Sequence, residues 1–215
     1  MYDLFQSALE ESQGSIKGVA IGIVTDNKDP QGMGRVKVHF PWVEGRGDSH
    51  WARISALMAG KNRGTVFLPE VDDEVLVAFE KGDIRHPYIL GALWNGQDNP
   101  PEKNADGKNN IRKIKSRSGH EIIFDDSNKQ EKIEIHTNKG HKIVLDDSTG
   151  AEKIEIQDHS GSNKIIINSM QKSITIESNL QLKISSQKID IEAGAAMTIK
   201  AGGTLTIQGA LVKIN

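Results

Sequence analysis

The chain has 215 residues, 36% hydrophobic and 26% charged, a composition that suits one or two globular domains and excludes a disordered chain. Its 29 acidic and 27 basic residues leave a net charge of −2, the opposite of the basic balance expected of a general nucleic-acid binder. The absence of cysteine excludes disulfides and cysteine-ligated zinc, and no apolar run approaches the ~20 residues of a membrane-spanning helix.

Residues 1–17 form an N-terminal segment. Tyr2, Phe5 and Leu9 fall at helical spacing over residues 3–12 and Gly14 ends the pattern, which reads either as a docking segment or as a frayed terminus. It has no basic region followed by an apolar core, so no signal peptide is predicted and synthesis in the cytoplasm is expected. Residues 18–97 hold all three tryptophans (Trp42, Trp51, Trp94) and a series of short strand patterns. In "GRVKVHF", Val36, Val38 and Phe40 share one face; in "EVLVAFE", Val75, Val77 and Phe79 share one face while Leu76 and Ala78 make the other apolar too, so that strand should be covered on both sides. Separated by "KDPQGMG", "EGRGDS", "AGKNRG" and "KGDIRHP", these strands predict a five-stranded OB-like barrel. Residues 98–115 read as a polar linker.

From residue 116 to 215 the chain repeats. "SGHEIIFDDS" and "KGHKIVLDDS" start at Ser118 and Lys139, and "EKIEI" starts at Glu131 and Glu152, in both cases 21 residues apart. Each repeat carries two short strands around polar turns. After Ser178 the turns shrink, and apolar pairs recur: Ile174/Ile176, Leu182/Ile184, Ile189/Ile191, Leu205/Ile207 and Val212/Ile214. One-sided strands on turns too short for crossover helices leave an apolar row that a flat sheet cannot bury. Winding about an axis with these residues inward satisfies the pattern, either as a single-chain β-helix or as three intertwined chains, the thin stripe favouring the latter. About eleven strands at ~4.8 Å give a shaft on the order of 50 Å, with opposite-charge and hydroxyl ladders outside.

"GVAIGIVTDNKDPQGMGRVKVHFPW", "SHWARIS", "LPEVDDEVLVAFEKGDIRHPYILGALWN" and the "SGHEIIFDD…EKIEIHT" repeats, in this order, resemble the central spike family of contractile injection machines: type VI secretion VgrG proteins and phage baseplate assembly protein V. The resemblance implies an all-β chain, an OB-fold barrel followed by a trimeric triple-stranded β-helix, acting as a puncturing spike at the tip of a tail tube in a phage tail, phage-like particle or type VI apparatus. It implies a homotrimer seated on a tail hub, a PAAR-like tip protein on the platform Leu211, Val212, Lys213, Ile214 and Asn215, and effector cargo. VgrG proteins carry a hub region before the barrel; only about 17 residues precede it here, so the hub is expected to be a separate protein or to have been cut away, with residues 1–17 a candidate for docking to it. The family's turn before "DEVLV" usually has Gly where this chain has Asp72. The His-X-His iron site of some spike tips has no counterpart after His159, and no cofactor is expected.

The candidate chemistry is sparse. Asp72/Asp73/Glu74, Asp125/Asp126 and Asp146/Asp147 are paired carboxylates of the type used in glycosidases or calcium sites, but the last two repeat with the scaffold and read as turns. His39, His50, His86, His120, His136, His141 and His159 fall on polar phases, with His136 and His141 the pair nearest across a turn. Arg35, Lys37, Arg46, Arg53, Lys61 and Arg63 could line an OB groove for nucleic acid, which the net charge argues against. The "RGD" at Arg46–Asp48 is a chance-level match. A carbohydrate-active or peptidoglycan-degrading enzyme and an OB nucleic-acid module are the competing readings; the favoured one is a non-enzymatic spike.

Overall fold

The described residues, 15–43, 45 and 47–214 of a computed structural model, form β-strands and one short 3-10 turn at Glu80–Gly82. The helical pattern over 3–12, Arg46 and Asn215 lie outside them. The chain divides at Asn109/Asn110 into two compact units.

The first unit contains β1 (Val19–Asp26), β2 (Lys37–His39), β3 (Arg53–Ile54), the short pair β4 (Ala59–Gly60) and β5 (Arg63–Gly64), β6 (Glu74–Phe79) and β7 (Pro87–Ala92). Five of them form a sheet in the order β2-β1-β6-β7-β3, with β3 parallel to β7. Its two ends meet: Val36 N donates to Ala52 O (3.1 Å) and Ala52 N to Val36 O (2.8 Å), joining the residues before β2 and β3. The sheet thereby closes on itself, and closure removes the open edges that would otherwise invite association.

Alternation places Val24, Val36, Val38, Val75, Val77 and Ile89 wholly inside, with Phe40, Ala52 and Phe79. A Cβ at Gly22 would stand 3.2 Å from the Val38 and Val77 side chains, so glycine lets the narrow barrel close. None of the tryptophans lies in this core. Trp42 and Trp94 are exposed; Trp42 packs at the rim against Phe40 and donates its indole N–H to Ile21 O. The expected cover on the second side of β6 is missing in the single chain: Leu76 and Ala78 are half-buried, and the neighbouring Val19 and Ile21 exposed. Asp72 occupies the turn before β6 with φ of 76°, the left-handed region that favours glycine and that Asp tolerates.

"KDPQGMGR" is organised by one carboxylate. Asp29 accepts the backbone N–H of Gln31, Met33 and Arg35 and a forked pair from the Arg35 guanidinium at 2.8 Å each, and its side chain is 3% exposed. The guanidinium, helped by the three N–H donors, holds the Asp29 carboxyl well below the usual carboxylate range. A lowered folded-state pKa stabilises fully above the unfolded value; this contribution should therefore be complete at neutral pH and erode as pH falls below about 4. Asp29→Ala is expected to lower the barrel's melting temperature by several degrees at pH 7, and by less at pH 3. An equal effect at both values would refute the carboxylate's role.

The second unit is a seven-stranded antiparallel meander: β8 (Ile111–Lys115), β9 (Glu121–Asp125), β10 (Lys132–His136), β11 (Lys142–Asp146), β12 (Lys153–Gln157), β13 (Lys164–Asn168) and β14 (Ser173–Glu177), each paired with its sequence neighbours. "IRKIK", within the stretch read as linker, supplies the first strand because it already alternates. Residues 178–214 form no strand and are exposed throughout.

Candidate functional site

The meander's register aligns its apolar residues into two rows on one face. Phe124, Ile133, Leu145, Ile154, Ile167 and Ile174 form one; Ile114, Ile122, Ile135, Ile143, Ile156, Ile165 and Ile176 form the other. Only Arg112, at the first strand, interrupts them. From Ile122 to Ile167 every one of these side chains is between 37% and 47% exposed. A continuous aliphatic face of this extent, uncovered, marks an interaction surface.

The opposite face is a set of charge ladders. Lys115, Glu121, His136, Lys142, Gln157, Lys164 and Glu177 lie opposite one another in succession, as do Asp125, Lys132, Asp146, Lys153, Asn168 and Ser173. Between them runs a row alternating charge with aliphatic: Glu134, Val144, Glu155, Ile166. Glu121 pairs with Lys113 (3.0 Å) and Lys115 (2.9 Å), and Lys164 with Glu177 (3.0 Å). Glu155, 6% exposed, is held by Lys153 (2.8 Å) and Lys142 (3.7 Å), and Lys153 foremost lowers its pKa. Each cross-strand pair contributes about 0.2–1 kcal/mol, so this face favours one register and solubility more than it adds stability.

The acidic pairs are turn devices. The Asp125 carboxylate accepts Ser127 N (2.9 Å) and that of Asp146 accepts Ser148 N (3.0 Å), the same Asx turn 21 residues apart. Asp126 pairs with Arg112. Among the described residues no group of three or more His, Asp or Glu side chains is arranged to hold a metal.

Among the histidines, the rings in contact are His141 and His159 (5.1 Å between centroids), whereas His136 faces Glu121 across the sheet. His120 and His141 repeat one role: each Nδ1 accepts a backbone N–H from 18 residues on, Asn138 N (3.3 Å) and His159 N (3.2 Å). The spacing of "SGH" from Asn138 and "KGH" from His159 carried that signal. The described basic candidates fall in two groups, Arg35 and Arg53 lining one pocket with Trp51, Arg85 and Tyr88. Arg35 and Lys37 approach the Trp51 ring and Arg53 lies over Tyr88, while Lys61 and Arg63 stand apart on the β4–β5 pair.

The residues expected to face inward in the shaft, Ile174, Ile176, Leu182, Ile184, Ile189, Ile191, Leu205, Ile207, Val212 and Ile214, are all exposed in the single chain, as is the platform Leu211 to Ile214. The eleven apolar residues from Ile114 to Ile167 share the sheet face of Ile174 and Ile176 and were readable by the same two-residue period.

Residues 20–94 match the family model for the type VI secretion system/phage-baseplate injector OB domain. The likeness to this injector barrel thus falls on the first unit's sheet. The chain's relatives extend the likeness beyond the injector barrel. The type VI secretion system spike protein VgrG1c of Pseudomonas aeruginosa is 35% identical over 114 residues, 48% of this chain and 16% of the relative. VgrG5 of the same organism is 31% identical over 148 residues, 61% of this chain and 18% of the relative. The actin cross-linking toxin VgrG1 of Vibrio cholerae is 32% identical over 111 residues, 48% of this chain and 10% of the relative. The matched part thus spans less than a fifth of each of these relatives. No helix among the described residues is long and apolar enough to cross a membrane.

Proposed function

We propose that the chain is a structural, non-enzymatic spike of a contractile injection apparatus, working as a homotrimer. The observation that carries this reading is the two-row aliphatic face of the β8–β14 sheet, left open by the single chain. Three such sheets facing a common axis bury all three faces at once and put the charge ladders outside. Residues 178–214 continue the apolar pairs without forming a strand alone. Pairing with two other copies supplies the missing backbone partners, as an intertwined β-helix whose interior takes Ile174, Ile176, Leu182, Ile184, Ile189, Ile191, Leu205, Ile207, Val212 and Ile214.

The mechanism is mechanical. A chain whose strands bond to two others cannot leave without breaking many pairs together, which makes unfolding slow, the property a puncturing device needs. Leu211, Val212, Lys213, Ile214 and Asn215 offer a three-fold platform for a PAAR-like tip protein, and the base seats on the tail hub. The names of the spike relatives support this role. The toxin relative's name describes a protein of which the match covers a tenth; the Asp125 and Asp146 carboxylates here are engaged by the Ser127 and Ser148 backbone N–H groups of their own turns.

Sedimentation of the full chain at micromolar concentration tests the reading. The expected particle has three times the 23.6 kDa of the chain and survives SDS without heating. A monomer, or a dimer closed as a two-sheet sandwich, overturns it.

A further inference from the structure

Two apolar surfaces of the barrel unit remain open, and we infer that they cover each other between copies: within the trimer proposed above, on which this inference rests, the β4–β5 arm of one barrel seats on the outer face of β1 and β6 of the next, closing a ring.

The arm runs from Ser55 to Leu68. Leu57 is 94% exposed, Val66 88% and Phe67 69%, so none of them rests on its own barrel. Its strands are two residues each and pair only with one another, an arrangement marginal in water. Yet the arm is a built element. Thr65 N donates to Met58 O (3.0 Å), and Gly64, at φ of 150°, leaves room where a Cβ would stand 2.5 Å from that same oxygen. Asn27 Nδ2 fastens the base to Pro69 O (3.0 Å). A protrusion held in shape without packing of its own is preorganised for a partner.

The receiving face is the outer side of the barrel. Val19, Ile21 and Ile23 point away from the core and stand opposite Ala78, Leu76 and Glu74 in register. Val19 and Ile21 are about half exposed. The ladder is aliphatic except at one end, where Glu74 joins Asp72 and Asp73, and neither strand carries a lysine or arginine.

Charge picks the partner. Between residues 55 and 68 the arm has Lys61 and Arg63 and no acid, with Met58, Val66 and Phe67 beside them. Aliphatic flanks with a basic tip complement an aliphatic ladder with an acidic end. Arm and face are different surfaces of one unit, so their contact is heterologous, and a heterologous contact repeated three times leaves neither exposed if it closes. A face-to-face contact would leave every arm in water.

The chain has no native cysteine, which makes the test direct. The full chain carrying Ile21→Cys and Phe67→Cys is treated with a short bismaleimide and run on a denaturing gel. Covalent trimers from the double variant, with none from either single variant, are expected. Val66→Cys with Leu76→Cys repeats the test if the first pair disturbs folding. A double variant that stays at single-chain mass while sedimenting as a trimer overturns the arm contact and leaves the spike reading standing; it would point instead to another protein on these surfaces. Covalent dimers from Phe67→Cys alone mean the arms meet each other and also overturn it. A sample that sediments as a monomer overturns both readings.

Discussion

Ile156→Asp is expected to abolish assembly while sparing the fold of the single chain. Ile156 lies mid-row, between Ile143 and Ile165, and is 47% exposed when the chain stands alone. A carboxylate there is hydrated in the monomer and costs little. In three sheets facing an axis it becomes three carboxylates taken out of water near one another, each losing several kcal/mol of solvation with no cation in the Ile114–Ile176 row to offset it. A penalty above about 4 kcal/mol shifts the association constant more than a thousandfold. The variant should therefore sediment at the 23.6 kDa of one chain and lose SDS resistance. Gln157→Ala, one residue along and on the ladder face, should remain trimeric. A trimeric Ile156→Asp protein would show that this face is not the interior.

The second large effect concerns residues 178–214, which form no strand in the single chain. If their backbone partners come from two other copies, their amides should exchange with solvent at least about a thousandfold more slowly in the native protein than in the Ile156→Asp monomer, a difference of about 4 kcal/mol in opening free energy. The β9–β13 amides should stay protected in both, because their partners are in the same chain. Equal exchange of residues 180–214 in both proteins would remove the intertwined shaft.

What could be read from the sequence follows from what each pattern determines. Two-residue alternation names a strand's faces without its neighbours, so Val36, Val38, Val75 and Val77 were placed in the core, while closure through Val36 and Ala52 was not visible. The 21-residue repeat fixed the turns, and the Asp-Ser hydrogen bonds explain why a pair of carboxylates would recur without being a site. His136 and His141 do flank one turn, where Thr137 N donates to His141 O, but the rings in contact are His141 and His159, because His159 follows the next strand at the same end of the sheet. The arm read as an ordinary turn, since "AGKNRG" is turn chemistry and the flanking Leu57 and Phe67 gave no period. The shaft residues from Leu182 to Ile214 keep the alternation yet form no strand in one chain, since alternation specifies what must be buried and is silent on whose backbone will bury it.

The repeat unit also makes the sheet extensible. Twenty-one residues encode two strands, so a duplicated unit returns the chain to the same edge, running in the same direction, with the same face inward. Each insertion would lengthen the sheet by about 10 Å along its hydrogen bonds and meet an identical Asx turn at either junction. Half a unit would instead reverse every strand that follows. Length in this sheet thus changes in whole repeats, each added unit presenting the same apolar face without any new packing having to be found.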